Sequence, residues 1–364
     1  MSNWLQHRRT TLLLGLASLA LVALGAWFTR DAWLTWYYMH GLKHASEQDR
    51  EIWIHRVASL GSAAVPSLVD VLKEQDASTC ESARLALEEL CQSWGADHEH
   101  SKDVYARLAK SFEGFSFAGQ QAVLKLYAPR LREKEQGSAD LVQLAAHPLQ
   151  SAMKSSCKDV RATAYELLIV LVRTDHATER QSLYRDFLRR GFKEDDPLLR
   201  ARAVCAAAPE QGVQDDVVPL LHDPAPEVRR AAMLAVGPAT TVIHDDDLLP
   251  WLNDEDEEVR HLCEMVLEGR GIPKESIRLA RMITHPKVAV RLQAVTELLV
   301  QPERDATEWY RRLTYDTCPS VQIAAVRAAR QQHLDLRERL LEMAQGDKSD
   351  SVRQLAGYYL GAEQ

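Results

Sequence analysis

The chain has 364 residues, 46% of them hydrophobic and 26% charged, with a formal net charge of −8. This composition excludes a disordered or collagen-like chain and leaves room for two to three average domains. The acidic balance argues against wholesale binding to nucleic acid, whose phosphates call for a basic footprint. No Gly-rich phosphate loop of the P-loop or dinucleotide type occurs in the sequence.

Residues 1–9 form a short tail ending in Arg8-Arg9. Residues 10–29, from Thr10 to Thr29, carry no charge and are almost continuous Leu, Ala, Val and Gly. At 1.5 Å per residue such a run spans a bilayer core of about 30 Å. Trp4 precedes it, and Trp27, Phe28, Trp33, Trp36, Tyr37 and Tyr38 crowd its far end. Amphipathic rings favour the headgroup region, so 10–29 is predicted as a transmembrane helix and 30–47 as a juxtamembrane aromatic segment. The alternative is a cleaved signal peptide, with Ala23-Leu24-Gly25 near the cut. The run is long for that role, and an aromatic belt serves no purpose on a secreted product.

Arg8 and Arg9 before the run face Arg30, Lys43 and Arg50 after it, so the positive-inside signal is nearly balanced. A nine-residue tail rarely crosses, which places the N-terminus in the cytoplasm and the remainder outside, in the periplasm of a bacterial cell. The lipid bilayer is thus one expected partner, through residues 10–29. Neither of the two Asn residues begins a glycosylation sequon, which fits a bacterial product. Beyond residue 50 the chain holds 39 basic and 49 acidic residues.

From residue 48 to 364 the pattern is helical. A first helix pair is predicted from Asp49 to about Lys73. Further helices are marked by Ala83-Arg84, Gln121-Ala122, Val160-Arg161 after Asp159, and Leu199-Arg200 after Asp195-Asp196-Pro197. A strict period then sets in: Val228, Val259, Val290, Val321 and Val352 are each 31 apart, four of them followed by Arg and one by Gln322. Four residues on come Ala232, Cys263, Ala294, Ala325 and Ala356, small side chains where a neighbouring helix must approach closely. Acidic or Pro-containing turns precede each Val and suit helix starts. Large apolar groups such as Leu221, Leu220 and Val217, or Leu252, Trp251 and Leu248, mark one face of another helix. Each repeat is therefore two antiparallel helices, neither able to bury its apolar stripe alone. The expected total is eight to nine pairs.

The string Asp223-Pro224-Ala225-Pro226-Glu227-Val228-Arg229-Arg230-Ala231-Ala232 resembles the HEAT-repeat family, in its bacterial variety related to phycobilisome-lyase-type repeats. The resemblance implies an all-α fold, an α-solenoid, with Asp and Arg of successive repeats in a hydrogen-bonded ladder through Arg200, Arg229, Arg260, Arg291 and Arg353. Gln322 departs from this pattern, and a gap or kink is expected there. The motif is specific for fold and almost silent about function.

Some relatives of that family are enzymes. Deoxyhypusine hydroxylases resemble it and bind two irons through several His-Glu pairs, but this chain has a single such pair, His98-Glu99. The cluster Asp97-His98-Glu99-His100 lies between predicted helices without partners at helical spacing, and reads as a solvated loop. Asp245, Asp246 and Asp247 after His244 are what a helix start asks for. The six cysteines, Cys80, Cys91, Cys157, Cys205, Cys263 and Cys318, show no CxxC pair or zinc spacing. Cys80 and Cys91 lie about 16 Å apart along one predicted helix, beyond disulfide reach. Cys205 and Cys263 take small core positions. Free buried thiols argue against an oxidising compartment, in tension with the export expected from the N-terminus. No catalytic residue, metal or cofactor is expected, and no small-molecule substrate or nucleic acid. An enzyme or nucleic-acid binder on such repeats, glycosylase-like or chromophore-lyase-like, is the alternative.

In HEAT-like solenoids the second helix of each pair lines the concave face, which makes its outward positions the candidate surface. Charges segregate along the chain, with Asp215, Asp216 and Asp245 to Asp247 in the middle and Arg278, Arg281, Arg311, Arg312, Arg337 and Arg339 later. Arg281 and Arg312 are 31 apart and are predicted to stack in a column beside Trp309. The expected role of Arg278, Arg281, Trp309, Arg311 and Arg312 is to bind an acidic segment of another protein through guanidinium contacts and an aromatic anchor. The alternative is a solvated face paired with Glu308 and Glu338.

Overall fold

The computed structural model describes residues 32–95, 98–133, 139–175, 177–300 and 306–361. The tail at 1–9 and the apolar run at 10–29 lie outside the described residues. Among the described residues every regular element is a helix, and no single helix is long and apolar enough to cross a membrane. The chain divides after Val213 into two compact units.

The first unit holds α1 (32–43), α2 (Arg50–Ala58), α3 (Val65–Val71), α4 (Ala77–Trp94) and α5 (Glu99–Ser111). It continues with α6 (Phe117–Glu133), α7 (Ala139–Ala152), α8 (Lys158–Thr174), α9 (Thr178–Gly191) and α10 (Pro197–Ala207). Helix starts follow capping chemistry. The Asp76 carboxylate accepts from the Thr79 amide at 2.7 Å, and Asp196 takes the Leu198 amide at 2.9 Å with Pro197 in the first turn. Helices α2, α4, α6, α8 and α10 pack successively side by side, while α3, α7 and α9 pack against α4, α8 and α10.

The second unit holds α11 (Gln214–Val217), α12 (Pro226–Val236), α13 (Asp245–Leu248), α14 (Glu257–Gly269) and α15 (Lys274–Ile283). It ends with α16 (Val288–Val300), α17 (Thr307–Leu313), α18 (Pro319–Gln331), α19 (Arg337–Gly346) and α20 (Asp350–Gly361). Helices α12, α14, α16, α18 and α20 are the strict 31-residue series. Its small-residue positions Ala232, Cys263, Ala294, Ala325 and Ala356 are all buried, as are Val228, Val259, Val321 and Val352, whereas Val290 is only half-buried. Burying each such Val contributes about 1.5–3 kcal/mol, but only once a neighbouring pair covers it.

Three expectations about the pairs change. Within the segment at 30–47, expected as a juxtamembrane aromatic segment, residues 32–43 are helix α1, with Met39 and Leu42 buried. The Trp53 ring of α2 lies 5.9 Å from Tyr37 and 6.4 Å from Tyr38 of α1. The helical array therefore begins before residue 48, and α2 and α3, predicted as one pair, belong to successive pairs, since α3 packs on α4 and Lys43 of α1 reaches Glu74 just beyond α3 at 2.5 Å. Among the described residues there are thus ten pairs, α1/α2 to α19/α20, rather than eight or nine. Finally, two first helices are not continuous. After α11 and α13 the chain runs on as 3₁₀ turns, Val218–His222 and Leu249–Asn253, each with Pro near its start. Pro219 and Pro250 lack the N–H that an α-helix needs there.

The repeats of the second unit are tied by one recurring device. Asp254 accepts the Asp256 amide at 2.8 Å, its own carbonyl accepts from Arg260 Nη1 at 2.7 Å, and its carboxylate takes Arg229 of the preceding repeat through Nε at 2.9 Å and Nη2 at 2.7 Å. Asp316 repeats this, accepting the Cys318 amide at 2.7 Å and Arg291 at 2.6 and 3.1 Å. At Gln322 no gap opens: its Nε2 donates to Asp347, 25 residues on, at 3.0 Å, and to the Thr314 carbonyl at 3.2 Å. The missing rung lies two repeats earlier, between Arg260 and position 285. His285 stands where Asp is due, keeps the local turn by accepting the Lys287 amide on Nδ1 at 3.0 Å, and offers Arg260 no carboxylate. In the first unit Arg161 makes a similar bidentate pair with Glu194 at 3.0 and 3.1 Å.

Candidate partner-binding site

Helix α15 places Arg278 and Arg281, and α17 places Trp309, Arg311 and Arg312. On α15 the residues Ile277, Ala280 and Ile283 are buried, as are Tyr310 and Leu313 on α17. The arginines flank these stripes, which turns them toward the surface. All five candidate residues therefore sit on the first helices of their pairs, not on the second helices where the candidate face was expected. The 31-residue spacing fixed a register but carried no information about which helix of the pair it marked.

Every guanidinium of the set has a carboxylate partner. Arg278 Nη1 lies 3.0 Å from Glu297 of α16, and its side chain is 52% exposed. Arg281 pairs with Glu264 of α14 and donates through Nε to the Leu252 carbonyl at 3.2 Å. Arg311 Nη1 lies 3.7 Å from Glu308, and its side chain is 50% exposed. Arg312 reaches Asp246 of α13 at 2.6 Å and Glu308 at 3.3 Å, and its guanidinium carbon lies 5.1 Å from the centroid of the Trp309 ring. The Arg312–Trp309 stack is thus present. Arg281 is drawn instead to α14.

The segregation of acidic middle and basic later residues is partly cancelled across space, since Asp246 from the first group neutralises Arg312 from the second. Asp246 and Glu308 are two periods apart and converge on one guanidinium. That convergence needs the three-dimensional stacking of α13 and α17; the only hint in the sequence is the shared register. Around it lies a shallow groove lined by Asp246, Pro250, Ile283, Thr284, Arg312 and Tyr315. Arg339, with the later basic residues, serves packing: it stacks 3.6 Å from the Tyr315 ring centroid and donates to Thr314 Oγ1 at 3.0 Å and its carbonyl at 2.9 Å.

Elsewhere His98 begins α5 by accepting the His100 amide at 3.2 Å, while Asp97 lies outside the described residues. Among the described residues no group of three or more His, Cys, Asp or Glu side chains is arranged to hold a metal ion. Asp245 takes Arg270 at 2.6 Å in the first turn of α13. Burial pushes the Cys263 thiol up to about 12, and its Sγ donates to the Leu248 carbonyl at 3.3 Å. Cys205, expected in the core, is exposed: Ala203, Val204, Ala206 and Ala207 form the buried side of α10 and leave position 205 outside. Chemically α15 and α17 offer the half-exposed guanidinium groups of Arg278 and Arg311 and the ring-stacked one of Arg312; the exposed partners Glu308 and Asp246 are worth roughly 0–1 kcal/mol each. An incoming carboxylate can exchange with such partners at little cost. In comparisons with protein-family models and with curated proteins, nothing matches this chain.

Proposed function

We propose that this chain is a membrane-anchored, non-catalytic scaffold: a HEAT-like α-solenoid held to the bilayer by residues 10–29, with a cytoplasmic N-terminus and the repeats outside the cytoplasm. It docks an acidic segment of another protein on the arginine surface of α15 and α17. The observation that carries this reading is the pair Arg278 and Arg311. Both are half-exposed, each has a single carboxylate partner within ion-pair distance among the described residues, and Arg311 adjoins the Arg312–Trp309 stack in α17. Bidentate guanidinium contacts with an aromatic anchor are what an acidic peptide needs. The resemblance of the 31-residue register to HEAT repeats, and the 25-residue reach from Arg229 to Asp254 and from Arg291 to Asp316, support the solenoid assignment.

The test is crosslinking in intact membranes followed by mass spectrometry, comparing wild type with Arg278→Glu/Arg311→Glu and with Arg281→Glu/Arg312→Glu. The reading expects partner recovery to fall at least about tenfold in one or both variants, the effect of about 1.4 kcal/mol. Unchanged recovery in both discards the arginine surface. A reporter fused to the C-terminus reads the side of the membrane.

A further inference from the structure

Helix α1 is unlike the other surface helices. Over its described residues, 32–43, it carries one fixed charge, Lys43, at the last position. Its inner side packs on the protein through Met39 and Leu42, which are buried, and through Gly41, where any side chain would overlap the Trp53 ring. Its outer side is a stripe at i, i+3, i+4 and i+7: Trp33, Trp36, Tyr37 and His40, all exposed, the first two at 59% and 62%. Trp33 stacks on Tyr37 at 5.6 Å and Trp36 on His40 at 5.5 Å, so the rings form two stacked pairs along this face. A helix facing water ordinarily carries charges there, as α5 does with Lys102, Asp103, Arg107 and Lys110.

We propose that this outer face of α1 beds in the headgroup zone of the bilayer and fixes the first helix pair against the membrane surface. The inference rests on residues 10–29 spanning that bilayer. Residue 32, the first described residue of α1, comes three residues after Thr29, the end of the uncharged run. Three peptide units reach no further than about 11 Å, and the headgroup zone is itself about 5–8 Å deep. A link of that reach lets the first described turns of α1, with Trp33, Trp36 and Tyr37, lie in the layer where amphipathic rings are favoured. The surface suits an interface rather than an anionic lipid cluster, because the groove beside Trp36 is lined on the α3 side by Asp70 and Glu74. Since Gly41 lets α1 lie close against Trp53, the membrane contact is passed to α2 and hence to the row of helices behind it.

The experiment uses the full chain in phosphatidylcholine vesicles whose acyl chains are brominated near the headgroup, reading tryptophan quenching for wild type and for Trp33→Phe/Trp36→Phe. Both positions are exposed and Phe keeps an aromatic ring, so folding is retained, which circular dichroism checks. Of the tryptophans bordering the bilayer, Trp4, Trp27, Trp33 and Trp36, the variant removes two, so shallow quenching falls by about half. Alkaline carbonate extraction is run alongside. Unchanged quenching in a chain that resists carbonate overturns the bedding of α1 and leaves the span standing. Release of the wild type by carbonate removes the span, and the bedding with it.

Discussion

At the scale of single residues, the second unit is held by carboxylates that do three tasks at once. Asp316 turns the chain into α18, accepts its neighbour's amide and receives Arg291 bidentately, with the two side chains 7% and 11% exposed. Removing it by Asp316→Ala strips a cap and leaves a largely buried guanidinium without its charge partner. Chemical denaturation is expected to show the second unit destabilised by about 2–4 kcal/mol. The converse change tests the same logic: His285→Asp supplies the carboxylate Arg260 lacks while keeping the turn, and is expected to stabilise that unit by about 0.5–1.5 kcal/mol. In the first unit Asp175 is buried, which pushes its carboxyl up. Hydrogen bonds from Arg180 at 2.5 and 3.0 Å, from the Ala177 amide at 3.1 Å and from the Tyr184 hydroxyl at 2.8 Å outweigh this and hold it below the usual value. A carboxyl whose value is lowered by folding stabilises the fold above its unfolded value of about 3.9 and loses that contribution as pH falls through the folded one. Asp175→Asn is therefore expected to cost roughly 2–4 kcal/mol at pH 7. Its difference from wild type shrinks below about pH 4, as acid titrations of unfolding will read.

At the scale of elements, what decides fit is how closely backbones approach. The Leu72 carbonyl at the end of α3 accepts from the Ser116 amide at 3.2 Å and its hydroxyl at 3.3 Å, and Ser116 in turn receives the Gly119 amide at 3.0 Å. Gly119 lies so near that a methyl there would overlap the Leu72 carbonyl. Gly119→Ala, harmless by helix propensity, is expected to destabilise the first unit by about 1–3 kcal/mol in thermal unfolding because α6 must move off α3. This glycine gives no sign of its role in the sequence, whereas the helices themselves do, through apolar spacing and acidic caps. The caps at Asp76, Asp196 and Asp256 lie one residue before their helices, and Asp256 is held down to about 2 by Arg230 and the Val259 amide. The broken first helices at Pro219 and Pro250 were legible as apolar faces but not as 3₁₀ turns, because both helix types bury residues three apart.

At the scale of the whole chain, the main helix contacts join elements of the same or the next pair, so stability is expected to be local within each unit. Val321→Asp places an unpaired carboxylate where nothing is exposed, a change costing several kcal/mol. Hydrogen exchange read by mass spectrometry is expected to lose protection in residues 214–361 while 32–213 keep theirs. Joint loss would mean that the two units unfold as one. What the sequence determined by itself was the helical character, the 31-residue register and the small residues at its close approaches. Those properties live on one helix and its immediate caps, where local periodicity is a direct record of what is buried. What only the tertiary structure decided was which side chains meet: that Gln322 still reaches Asp347, that Arg312 finds Asp246, that Arg281 turns to Glu264, and that 32–43 packs as a helix against Trp53 of α2. A long side chain at a surface position has several carboxylates within reach, and the choice among them depends on how neighbouring helices stack, which no single stretch of sequence records.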